Sequence, residues 1–240
     1  MQVYEFPPFF KSVQNNNTSL IKNFAFTLSE VLITLGIIGV VAAMTIPNLM
    51  AKIDERRTVV KLQEAQSILS QAIRLSEEEY GEASAWTQER WNSKGASEIA
   101  EKLKPSLKIA LDCGLVDSKK LCIQKNYKRR NGQSHDINYA TDNRYYKVVL
   151  MNGVSVWWKS TDETEKLING AYIGFFVDTN GTALPNQWGR DLFMFVYDDN
   201  SIRPYGAPGT GYSYKTHCLP KNSTGYGCAW YVLNTKSMKY

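Results

Sequence analysis

Four short stretches of this 240-residue chain carry residue types that could do chemistry. The densest in oxygen ligands is DTNGTALPNQWGRD at 178–191, with Asp178, Asn180, Asn186 and Asp191 spaced by Gly181, Pro185 and Gly189. Carboxylate and amide oxygens on a turning loop suit calcium, which takes six to eight oxygens. The stretch is not an EF-hand, because no Glu closes a twelve-residue loop. The competing reading is an Asx-and-Gly turn between two strands. Four cysteines, Cys113, Cys122, Cys218 and Cys228, contain no C-x-x-C, which argues against a zinc ribbon or a thioredoxin-like site. In an exported domain they would form disulfides, with three pairings open and free buried thiols the alternative. Local pairs, Cys113–Cys122 and Cys218–Cys228, would close short loops worth about 2.5–3 kcal/mol each in the chain-entropy model.

The basic run KNYKRRNGQSH at 125–135 could meet DNA or another anionic surface, or be a solvated loop. The two histidines, His135 and His217, sit in no metal or triad motif, so the expectation is that the chain is not an enzyme. Formal charge +5 is too small and too scattered to mark a nucleic-acid binder.

The fourth stretch is Glu30, one residue before a long apolar run. From Val31 to Ile46 only Thr34, Gly36, Gly39 and Thr45 interrupt that run, and from Phe26 to Met50 it has the length to cross a bilayer core of roughly 30 Å. Thr27-Leu-Ser-Glu30 matches a capping box, which would make Glu30 a helix cap. Alternatively, an ionisable group at the mouth of a membrane segment calls for a charged partner. A secretory signal fits poorly, because the small-residue site Ala25 precedes the apolar core instead of following it.

These residues must be positioned by elements. Val59, Leu62, Ala65, Ile68, Leu69, Ala72 and Ile73 recur at helical spacing. One helix is therefore expected from about Phe26 to Glu79, lipid-facing at first and amphipathic later, with Pro47 kinking it. ASEIAEKLKPSLKIALD at 96–112 reads as a short helix broken at Pro105, and 80–140 as helical and looped. Strand signals follow in YYKVVL (145–150), VSVWW (154–158), AYIGFFVD (171–178) and LFMFVYD (192–198), with MNG at 151–153 as a tight hairpin turn. Short links between strands favour an antiparallel sheet. The fold class is α+β: a long N-terminal helix packed on a C-terminal antiparallel sheet.

The segment AFTLSEVLITLGIIGVVAAMTIPNL at 25–49 resembles the N-terminus of type IV pilins and type II secretion pseudopilins. The resemblance covers residues 22 to about 80. It implies a leader at 1–25, a cut between Ala25 and Phe26 by a prepilin peptidase, and methylation of Phe26. Glu30 takes the fifth position counted from Phe26, and Pro47 the twenty-second, where the family has its helix-kinking proline. Ala25 departs from the commoner glycine, and the leader is long. The implied organisation is a membrane and filament-core helix at 26–50, its amphipathic continuation at 51–80 and a pilin-like head at 81–240. The implied function is assembly into a pilus or a secretion pseudopilus. Glu30 would pair with the Phe26 amino group of a neighbouring subunit. Implied partners are the chain itself or other pilins, the peptidase, an inner-membrane assembly platform and lipid. The head would lie outside the cytoplasm. Some members bind calcium in a loop like 178–191, and some have a disulfide-bounded C-terminal loop like 209–233. Lys52, Arg56 and Arg57 after the apolar run, against Lys11 and Lys22 before it, point the other way under the positive-inside rule. Two further functions stay open: a non-polymerising membrane-anchored adhesin or receptor, and a DNA-uptake module using Lys125–Arg130.

Overall fold

The computed structural model describes residues 27–124, 126–161, 172–198 and 200–240. Helix α1 spans Leu28–Tyr80 and keeps helical geometry through Pro47. The proline has no N–H, so the Ala43 carbonyl loses its partner one turn later. The contacts divide the chain into two compact units, one up to Pro47 and one from Asn48 to Tyr240.

In the first unit the apolar side chains are exposed on every side of the helix: Leu32 by 61%, Ile37 by 60% and Ile38 by 62%. This half of α1 is long and apolar enough, by length and composition, to cross a membrane. Thr34 and Thr45 direct their hydroxyls at the Val31 and Val41 carbonyls, each at 3.0 Å, so neither presents an unpaired polar group.

The second unit holds the rest of α1, α2 (Ser93–Leu103), α3 (Tyr214–His217), α4 (Cys228–Thr235) and one sheet. The sheet is a six-stranded antiparallel meander in the order β1-β2-β3-β4-β5-β6. Its strands are β1 (Ile109–Gly114), β2 (Tyr146–Leu150), β3 (Ser155–Ser160), β4 (Ile173–Asp178), β5 (Leu192–Asp198) and β6 (Ser201–Pro204). The β2–β3 hairpin turns at Gly153, φ 78°, a backbone conformation that suits glycine. Leu150 and Val154 close it through the Leu150 N–H, which donates to the Val154 carbonyl at 2.9 Å.

Both faces of the sheet are covered, which is why β3 and β4 are buried at every position. Alternation sends Trp158, Phe175, Phe193 and Phe195 to one face, against Val59, Leu62, Ala65, Leu69, Ala72 and Ile73 of α1. It sends Trp157, Phe176 and Met194 to the other, against Tyr127, Tyr139 and Trp188 from loops. The α+β class is therefore as expected, and the helical stripe read at Val59–Ile73 is buried except for Ile68, which is half-buried at its edge. The structure corrects one element. Residues Ile109–Gly114, expected to continue a helix-and-loop region, form β1. The helix stops at Leu103, a 3₁₀ turn at Lys104–Ser106 contains Pro105, and the chain then extends along β2. Ala110 and Asp112 have little intrinsic strand preference, so pairing to the open edge of β2 decides the conformation. Helix α4 and strand β6 are also additions to the elements expected.

Candidate functional site

At the start of α1 the local sequence builds a reciprocal cap. The Glu30 N–H donates to Thr27 Oγ1 at 3.2 Å, while the Thr27 N–H and hydroxyl both donate to Glu30 Oε2, at 2.8 and 2.9 Å. The bonds converge on one carboxylate oxygen and neutralise none of its charge. Ala25 and Phe26 lie outside the described residues.

The four oxygen-bearing residues of 178–191 come together at the ends of β4 and β5. The Thr179 N–H donates to the Asp191 carbonyl at 2.9 Å and closes the loop. Asp191 caps the turn: the Asn186 N–H donates to its Oδ2 at 2.7 Å and the Gln187 N–H to its Oδ1 at 2.5 Å. Asp178 accepts from the Asn180 N–H at 3.1 Å and from the Tyr127 hydroxyl at 2.7 Å. The Leu184–Pro185 peptide is cis, and Asn186 has φ 52°. Both carboxyls are buried, Asp178 with no exposed surface and Asp191 at 2%. Burial raises the pKa of Asp178 well above the carboxylate range, and the nearby Asp191 charge adds to it. Burial likewise raises that of Asp191. Desolvation also lifts the Tyr127 phenol, next to Asp178.

Two like charges without water are a costly arrangement unless a cation or protons relieve them. The loop bonds both further, Asp178 accepting from the Gly181 N–H and Asp191 from the Asn180 side chain. The side-chain oxygens of Asn180 and Asn186 are buried without a partner among the described residues. A cleft of about 340 Å³ opens on Asn180 and Asp191 from the Asp54–Lys61 stretch of α1. These oxygens are of the kind a hard cation takes, while Arg57, Lys61 and Arg190 line the same cleft.

Tyr127 is the partner that sequence reasoning missed. It is the single aromatic of the basic run 125–135, and it lies 51 residues from Asp178, beyond any local signal. The run is bound to the loop along its length: the Lys128 N–H donates to the Asn186 carbonyl and the Trp188 N–H to the Lys128 carbonyl, each at 2.9 Å. Arg129 directs its Nε at the Tyr226 hydroxyl, 3.2 Å away. Arg130 donates to the Pro220 carbonyl at 2.5 Å and stacks 5.1 Å from the Tyr240 ring centre. Lys125 lies outside the described residues.

Both local cysteine pairs are disulfides, Cys113–Cys122 and Cys218–Cys228. The first ties β1 to a loop organised by Asp117, whose carboxylate accepts from the Leu121, Cys122 and Ile123 N–H groups at 2.8–3.1 Å. Cys113, Asp117 and Cys122 lie close enough to group as metal ligands. Sulfurs joined to each other are not thiolates, and Asp117 is already a three-fold cap, so the group reads as structural. His135 is held neutral, its pKa lowered to about 4 by burial and then by the Arg129 charge. His217 stacks on Tyr212 at 4.1 Å between ring centres. The Thr216 hydroxyl lies 2.8 Å from His217 Nδ1, and the Tyr139 hydroxyl 3.4 Å from His135 Nε2.

Residues 48–228 match a family described as a family of unknown function, DUF6613. The chain belongs to this family. The match opens at Asn48, the residue at which the second compact unit begins, so what defines the family is the head with the amphipathic half of α1. The loop 178–191, the basic run and all four cysteines fall inside the matched residues. No curated protein and no solved structure matches the chain.

Proposed function

We propose that the chain is a filament subunit of the type IV pilin or type II secretion pseudopilin class. A prepilin peptidase cuts it between Ala25 and Phe26 and methylates Phe26. The apolar half of α1 holds it in the inner membrane with the head outside the cytoplasm, until an assembly platform packs that half against the same half of other subunits. The observation that carries this reading is the division of one helix: Leu28–Pro47 is apolar and exposed all round, while Val59–Ile73 of the same helix is a wall of the head core. A helix exposed and apolar on all sides needs lipid or other helices. Glu30 supplies register, because its carboxylate keeps its charge while capping and can meet a neighbour's Phe26 amino group in a dry filament core.

N-terminal mass spectrometry of the membrane fraction should find N-methylated Phe26. An intact Met1, or a cut after Ala43, would overturn the reading. Glu30→Gln separates cap from charge. Glutamine keeps the capping geometry but not the charge, so the variant should insert and be processed like the parent yet fail to enter filaments. Normal assembly of Glu30→Gln would leave Glu30 as a cap only. Of the other functions, DNA uptake is disfavoured by the engagement of Arg130 with the Pro220 carbonyl and the Tyr240 ring. A non-polymerising anchor would leave Glu30→Gln without any phenotype.

A second reading concerns the loop 178–191, which we propose binds calcium. It rests on the two unpartnered Asn oxygens beside two buried carboxylates. When bound, calcium would supply the positive charge that Asp178 and Asp191 lack, and Asn180 and Asn186 would complete the oxygen set. Isothermal titration with calcium and an Asp191→Asn control tests it. Absence of a calcium-dependent heat in the parent protein leaves the loop an Asx turn.

A further inference from the structure

The face of the sheet turned away from α1 carries an open cavity of about 190 Å³. A packed interior has few voids larger than a water molecule. Rings make up most of this cavity's lining. Phe176 and Met194, paired across β4 and β5, form its floor. Trp157 backs Phe176, with planes within 5° and centres 5.8 Å apart, which holds that ring flat. Trp188 stands edge-on to Phe176 at 5.9 Å, and Tyr226 edge-on to Trp188 at 4.7 Å. The disulfide-closed C-terminal segment and the loop 178–191 thus each lend a wall.

The rim is polar and of mixed sign. Arg129 and Asp136 approach to 3.4 Å there, with the Asp136 side chain 85% exposed. His135 lies beside them, 5.8 Å from Trp188 and stacked on it. The Ile137 N–H donates to His135 Nδ1 at 3.2 Å, which assigns the ring proton to Nε2. His135 Nε2 in turn meets the Tyr139 hydroxyl at 3.4 Å, so the rim offers a carboxylate acceptor and a guanidinium donor side by side. Trp188 adds an indole N–H buried without a partner among the described residues.

These features select a ligand. Arg129 and Lys159 line the cavity, which disfavours a cation. The volume is below the roughly 300–1,000 Å³ of pockets for drug-sized ligands, which limits the guest to about one ring. Rings present electron-rich faces that attract polarised C–H groups. An acceptor and a donor side by side match a pair of neighbouring hydroxyls. A pyranose has both: one face of C–H groups and an equator of hydroxyls. We infer that this cavity is a binding site for a single hexose ring of a glycan, its C–H face against the ring-lined wall and its hydroxyls on Asp136 and Arg129. The site lies wholly in the head and does not depend on whether the chain polymerises.

The test uses full-length protein in detergent micelles and the methyl glycosides of glucose, galactose, mannose and N-acetylglucosamine. Trp188 and Trp91 line the cavity, so intrinsic fluorescence reads occupancy, and saturation-transfer NMR reads which sugar protons touch rings. At least one glycoside should saturate with Kd on the order of 1 mM, with transfer to its C–H face. Asp136→Asn should weaken that binding about tenfold or more with no change in Tm, since the side chain is exposed. The inference fails if no glycoside binds at about 50 mM, some fifty times that Kd. It fails equally if Asp136→Asn binds as tightly as the parent, or if indole or benzoate binds and the glycosides do not.

Discussion

The two halves of α1 are one helix in two different surroundings. From Leu28 to Pro47 the helix has no buried side chain, and its large apolar residues stand about 40–80% exposed. From Asn48 to Tyr80 it buries a narrow stripe, Val59, Leu62, Ala65, Leu69, Ala72, Ile73 and Ser76, and leaves charges elsewhere. Apart from the Ala43 carbonyl facing Pro47, both halves satisfy their backbone hydrogen bonds within the helix. The difference lies in what must cover the side chains. The second half is covered by its own chain, and the first half is covered by none of the described residues.

That contrast can be broken by substitution. Leu69→Ala removes a fully buried side chain and should cost the head about 2–5 kcal/mol by chemical denaturation. Ile37→Ala, on the exposed half, should leave head stability within about 0.5 kcal/mol. Equal losses would mean that the apolar half also packs on the head. Ile38→Arg reverses the comparison. It should leave head stability unchanged while adding about 3–4 kcal/mol to the cost of membrane insertion, read as loss from the membrane fraction.

Within the head, replacing both cysteines of one disulfide by serine should cost about 2.5–3 kcal/mol, since each loop is closed across a separation of only 9 or 10 residues. The comparison is sharpened if the Cys113/Cys122 variant frees β1 selectively, as hydrogen exchange would read. Loss of protection throughout the sheet would instead make that bridge part of the global fold.

The loop 178–191 gives a smaller, pH-dependent effect. Asp178 and Asp191 both have raised pKa values in the fold, so the folded state favours their protonated forms. That contribution is complete below the unfolded carboxylate value of about 3.9 and is lost as pH rises through the raised folded values. In chelator, this pair should therefore make the head less stable at neutral than at mildly acidic pH. Calcium at about a hundred times its Kd should restore about 2.7 kcal/mol at neutral pH and flatten the slope. Asp191→Asn should flatten the slope without calcium. An unchanged slope in Asp191→Asn would remove the charge pair as its cause.

Much of this molecule was legible in its sequence, for reasons of range. The capping box joins residues three apart, the buried stripe repeats every three to four, and β2 to β5 declare themselves through consecutive aromatic and β-branched residues. Such signals are local, so reading them requires no knowledge of the chain path. The same holds for the oxygen-bearing residues of 178–191, which lie within one turn. What escaped was long-range. Ile109–Gly114 is a strand because β2 leaves an edge open, a fact absent from IALDCG itself. Tyr127 is a ligand of Asp178 because a basic run crosses the sheet and pairs with the loop beyond it. By itself, then, the sequence determined the apolar helix, its cap, its amphipathic continuation and the central strands. Only the tertiary structure decided that the sheet is covered on both faces, and that Phe176, Trp188, Tyr226 and His135 enclose a cavity. Those side chains meet through contacts between segments far apart along the chain, and their geometry is set by chain crossings that no local period encodes.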